Sequence, residues 1–67
     1  MLGKVKYFKD DKGFGFINST EVTGDIFVHF TQIVADGYKT LKTGDEVEFE
    51  LVETDKGYQA KNVKKLG

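Results

Sequence analysis

Two short stretches constrain the fold more than anything else in the chain: Lys12-Gly13-Phe14-Gly15-Phe16-Ile17 and Asp25-Ile26-Phe27-Val28-His29-Phe30. In a β-strand, successive side chains point to opposite faces. The first stretch then places Phe14 and Phe16 on one face and Gly15 and Ile17 on the other. The second divides Phe27 and His29 from Ile26 and Val28 in the same way. Small and branched side chains suit the tight interior of a small sheet or barrel, so the aliphatic face is the inner one. The ring-bearing face is left without a core role. Packing against a second layer of the same chain is the competing explanation, but no segment is long and apolar enough to supply that layer.

The same grammar continues along the chain. A first strand is expected over about residues 3–9, with Lys4 and Lys6 outward around an inward Val5. Strict alternation would also turn Tyr7 inward, and Phe8 is expected to be partly buried. Asp10-Asp11-Lys12-Gly13 and Asp55-Lys56-Gly57 are hairpin turns, with Gly13 suited to a positive φ. A polar connection spans 18–24, and Thr31-Gln32-Ile33 reads as a short helical turn that sends Ile33 to the core. The longest irregular stretch, 34–44, projects Tyr38, Lys39 and Lys42. Strands over about 45–53 and 58–65 complete the set. Five short strands with tight turns and no helical period indicate an all-β barrel or sandwich, and closure would hide their edges.

At 67 residues the chain makes one domain, residues 1–67. It has no Cys and one His, so neither a disulfide nor a structural metal is expected to staple it. No apolar run approaches the roughly 20 residues of a membrane span, and the first residues lack the apolar run of a signal peptide. A cytoplasmic protein is expected. Catalysis fails on inventory: Ser19 is the only Ser, His29 has no evident base partner, and no phosphate-loop motif exists. We expect no enzyme, no cofactor and no small-molecule substrate.

Planar rings on an open sheet, edged with ammonium groups, form a stacking platform for unpaired bases. Phe14, Phe16, Phe27, His29, Phe30 and Tyr38 are the candidate stackers, although parity does not place Phe30 or Tyr38. Lys6, Lys12, Lys39 and Lys56 are candidate phosphate contacts. The net charge of −1, with ten Lys against eleven acids and no Arg, argues against duplex major-groove readout. Glu46, Glu48 and Glu50 alternate with Val47, Phe49 and Leu51, which puts three carboxylates on one outward strand face. If that strand lies away from the rings, overall charge is the wrong quantity to judge by.

Those two ring-bearing stretches resemble the paired ribonucleoprotein-type motifs of the bacterial cold-shock protein family. So do Gly3-Lys4-Val5-Lys6-Tyr7-Phe8, Gly37-Tyr38-Lys39-Thr40-Leu41 and Gln59-Ala60-Lys61-Asn62-Val63, in order over essentially the whole chain. The resemblance implies a five-stranded antiparallel β-barrel of the OB type that binds single-stranded DNA and RNA. It implies that Lys6 and Tyr7 both meet nucleic acid, which demands a bulge that the residues alone do not decide. It also places Asp25 and Gln59 where base edges can be hydrogen-bonded, while Asp25 is equally suited to stabilising a turn. Tyr7 stands where the family usually has Trp, and Tyr58 where Pro usually follows the last turn glycine. Tyr58 would either add a ring to the platform or pack beside it. The expected function is an RNA chaperone, monomeric, that keeps transcripts unstructured by stacking their bases. The rival from another class is a protein-interaction module that uses the exposed aromatic face.

Overall fold

The computed structural model describes residues 1–35 and 40–66. Five strands form a closed barrel: β1 (Leu2–Lys9), β2 (Phe14–Asn18), β3 (Ile26–His29), β4 (Glu46–Thr54) and β5 (Gly57–Lys65). Around the barrel they run β1-β2-β3-β5-β4, and β4 closes on β1. A single 3-10 turn, Phe30–Gln32, follows β3. Among the described residues no helix is long and apolar enough to cross a membrane.

Every ladder is antiparallel except β3 with β5, which pairs Ile26 with Tyr58 and Phe27 with Gln59 in parallel. Geometry requires this. An odd number of strands cannot alternate direction all the way round, so one seam of a closed five-stranded barrel must join like directions. The parallel bridge of Ile33 with Val63 extends the seam past the end of β3.

The core is the set of inward strand positions, which alternation marks except where a bulge in β5 turns both Ala60 and Val63 inward. Val5, Ile17, Ile26, Val28, Val47, Phe49, Ala60 and Val63 are all buried, joined by Ile33 from the 3-10 turn. Leu41 joins them from the connection to β4, a core residue that strand periodicity does not reveal. Phe8 packs against this cluster while partly exposed, as expected.

Two bulges break the regular register. In β1, Val5 pairs with Ile17 but Tyr7 pairs with Phe16, so Lys6 is the extra residue. The slip returns Tyr7 to the outward face and leaves Lys6 exposed beside it. Gly15 permits the close approach: a Cβ there would lie 2.7 Å from the Phe8 Cα. In β5, Glu48 pairs with Lys64 but Glu50 with Lys61, which places Asn62 in the second bulge. Asn62 takes φ 51°, and its side-chain amide donates to Glu50 Oε2 at 3.0 Å. Asn adopts this left-handed conformation more readily than most residues.

Candidate nucleic-acid interface

Strands β1, β2 and β3 lie side by side, and their register decides which rings meet. Tyr7 faces Phe16, Phe16 faces Phe27, and Phe14 faces His29. Directly opposed residues share a face, so these side chains all project outward, away from Ile17, Ile26 and Val28. The outcome is a continuous patch of rings. Centroid separations are 5.5 Å for Tyr7–Phe16, 5.8 Å for Phe16–Phe27, 6.5 Å for Phe14–Phe16 and 5.9 Å for Phe14–Phe27. Three contacts are tilted or edge-on, and Phe14 with Phe27 is stacked at 26°. These distances fall within the range of favourable ring pairs. All four rings keep part of their surface in solvent.

His29 and Phe30 extend the patch, their rings 4.7 Å apart. His29 caps the 3-10 turn. The Thr31 N–H donates to its Nδ1 at 3.3 Å, and Thr31 Oγ1 lies 2.9 Å from the same nitrogen. With Nδ1 accepting, the neutral ring carries its proton on Nε2, a donor for a base carbonyl or a phosphate oxygen. Phe30 is 43% exposed, and its ring lies over Gly13. A Cβ at Gly13 would come within 2.7 Å of that ring, and φ there is 75°, so both space and backbone favour glycine.

The polar candidates border the rings. Gln59 is paired with Phe27 and opposite in parity to buried Ala60, which sets it on the ring-bearing face. Lys12 sits exposed in the turn before Phe14, and Lys56 in the turn before Tyr58. Lys56 N–H donates to Thr54 Oγ1 at 3.2 Å within that turn. Lys6 and Asp25 are joined to each other: the ammonium is 3.1 Å from Asp25 Oδ2, with both side chains substantially exposed. Such a pair contributes about 0–1 kcal/mol, little enough to be exchanged for other partners.

Three of the remaining candidates stand apart from the ring cluster or outside the described residues. Tyr58 shares its parity with Ala60 and packs against the core, so it does not join the ring cluster. Tyr38 and Lys39 lie outside the described residues. Thr40, next to them, donates its hydroxyl to Asp10 and so ties that connection to the β1–β2 turn. Lys9 is a residue the motifs pass over: its ammonium stands 5.8 Å from the centre of the Tyr7 ring.

Charge is partitioned around the barrel. Glu46, Glu48 and Glu50 project from β4, which neighbours β1 and β5 but neither β2 nor β3. They face lysines across their ladders: Glu46 is opposite Lys4, Glu48 opposite Lys64 and Glu50 opposite Lys61. Lys65 and Asp45 form an ion pair at 3.3 Å on the same side. The carboxylates thus lie away from the rings and are balanced locally. Among the described residues no group of His, Cys, Asp and Glu is arranged to hold a metal ion.

Comparison with known proteins agrees with this geometry. The family model described as 'Cold-shock' DNA-binding domain matches residues 1–66. Cold shock protein CspD of Bacillus subtilis is 61% identical over 66 residues, covering 96% of each chain. A cold shock-like protein of Aquifex aeolicus is 54% identical over 65 residues, 97% of this chain and 93% of the relative. Among solved structures, drosophila Unr CSD456 superposes with a TM-score of 0.79 at 32% identity. That match covers 98% of this chain and 26% of the larger one.

Proposed function

Since the chain belongs to the cold-shock domain family, whose members are nucleic-acid-binding proteins and not enzymes, we propose that its ring-bearing face binds single-stranded RNA and DNA by base stacking and acts as an RNA chaperone. One observation carries this reading: Tyr7, Phe14, Phe16 and Phe27 form a contiguous outward patch over a core that is already filled from the other side. Rings that a core does not need are costly to expose unless a partner covers them. Bases are suitable partners because every base has a π-face, and each stack contributes about 1–3 kcal/mol. Paired bases hide those faces, so duplexes are poor ligands.

In this reading Phe14, Phe16, Phe27, Tyr7, His29 and Phe30 stack bases, with Tyr38 beside them. Lys6, Lys12, Lys39 and Lys56 meet phosphates, while Asp25 and Gln59 bond base edges. The Lys6–Asp25 pair opens when nucleic acid arrives, which frees both groups for the ligand. Tyr58 contributes only by supporting the strand that carries Gln59. The protein works as a monomer in the cytoplasm, with no cofactor, and it holds transcripts open when low temperature favours their pairing.

Titration with oligothymidine tests the central claim. Binding at micromolar concentration or tighter is expected, with at most a weak response to a blunt duplex of the same length. A face built for docking another protein would bind neither.

A further inference from the structure

Lys9 ends β1 on the same outward face as Tyr7 and is paired across the ladder with Phe14. Its backbone is fixed, because its carbonyl accepts from the N–H groups of Lys12 at 3.1 Å and Gly13 at 2.8 Å. Only the side chain has freedom to move. Its ammonium is 5.8 Å from the Tyr7 ring centre, close to the limit of about 6 Å at which a ring face holds a cation. The hold is therefore weak. Among the described residues no carboxylate forms an ion pair with Lys9, whereas Lys6 is occupied by Asp25. Among the described residues, Lys9 is thus a cation at the Tyr7 end of the platform that needs no partner exchange.

A base stacking on Tyr7 needs ring surface that this ammonium shares, and the same nucleotide brings a phosphate. We propose that Lys9 is a phosphate-contacting residue coupled to Tyr7. It rests over the ring in the unbound protein, yields it to the incoming base, and moves to that nucleotide's phosphate. A lysine suits the exchange, since it is a point charge on a flexible four-carbon stem with three rotatable donors. The inference rests on the single-strand reading of the ring face.

The test is oligothymidine affinity measured across salt for the full chain, for Lys9→Gln, for Tyr7→Leu and for the double variant. Each phosphate contact on a single strand contributes about 0.7 to the slope of log K against log salt. With about three contacts the unsubstituted protein should show a slope near −2, and Lys9→Gln a slope shallower by about 0.7. Between about 0.05 and 0.2 M salt, the deficit of Lys9→Gln should therefore shrink about 2.5-fold. In the Tyr7→Leu background, Lys9→Gln should change the slope little. Thermal melts should show all variants folded, because both side chains project outward from the barrel.

Unaltered protein that binds, with Lys9→Gln at the same slope, overturns the role of Lys9 and leaves the ring platform standing. A full Lys9→Gln effect in the Tyr7→Leu background overturns the coupling to the ring. Absence of oligothymidine binding by the unaltered protein overturns the platform, and this inference with it.

Discussion

Phe16 is the ring that the others share, since it touches Tyr7, Phe14 and Phe27 at once. Its neighbour Ile17 points the opposite way and is fully buried. Adjacent residues should therefore fail in opposite ways. Phe16→Ala should lower oligothymidine affinity by about 1–3 kcal/mol, roughly 5- to 150-fold. It should also cost some stability, because ring pairs contribute about 0.5–1.5 kcal/mol each beyond their buried area. Ile17→Val should reduce stability by about 0.5–1.5 kcal/mol and leave affinity unchanged. Calorimetric titrations and melts on both proteins check this, and the reverse pattern would mean the sheet had been read inside out. At this scale Phe14, Phe16, Phe27 and His29 were legible because two motifs of opposite parity point them the same way. Tyr58 was not, since the β5 pattern has no such second motif and only buried Ala60 fixes which side is inward. Lys9 lacked any signal, because a lysine at a strand end looks like solvated surface until a ring is found beneath it.

Strand boundaries fell within about a residue of those expected, because the turn glycines and the alternation agree. What periodicity misses at the level of elements is a change of count. A period of two places Tyr7 beside Val5, and only the extra residue Lys6 reverses it. The resemblance to a family supplied that bulge; the residues themselves left it open. The bulge at Asn62 was not legible either: Asn is depleted in strands and enriched in the left-handed region, but a single Asn does not say which residue of a strand is the extra one. Leu41 escaped for a related reason, as a single apolar residue in an irregular stretch has no period. Gly15 offers a direct check on the β1–β2 geometry. It is buried opposite Phe8, and an added methyl would press on the β1 backbone, which cannot rotate out of the way. Gly15→Ala should cost about 1–3 kcal/mol, the range of overpacked cores. For a domain this size, that lowers the melting temperature by roughly 5–20 °C. Because β1 carries Tyr7 and Lys9, affinity should fall as well, even though Gly15 touches no ligand. An unchanged melting temperature would mean that β1 does not pass as close to β2 as the register requires.

For the molecule as a whole, net charge is a poor guide and its distribution a good one. The barrel puts Glu46, Glu48 and Glu50 of β4 on the side away from the rings, opposite lysines of β1 and β5. A chain with a formal charge of −1 can thus keep these three carboxylates off the ring-bearing strands, beside which Asp25 is paired to Lys6. In the proposed reading, affinity comes mainly from stacking, which is nearly indifferent to sequence. Such a protein can change a folded RNA only by holding its open form, and mass action sets how far. Binding that selects one state stabilises it by RT ln(1 + [L]/Kd), about 2.7 kcal/mol at 100 times Kd. A base-pair step contributes about 1.4 kcal/mol on average. One bound copy therefore offsets about two steps, so a hairpin marginally stable by about 1–2 kcal/mol should open while one stable by about 6 kcal/mol should remain closed. A fluorophore and quencher on the two ends of each hairpin would report this. Signal from the weak hairpin should rise with occupancy and without ATP, and the strong hairpin should stay dark over the same range. Phe16→Ala combined with Phe27→Ala should abolish the rise, because it removes the two rings that meet across β2 and β3. If the unaltered protein binds the open strand yet leaves the weak hairpin closed, it must bind the folded form equally well. Stacking on exposed bases would then not be what it recognises.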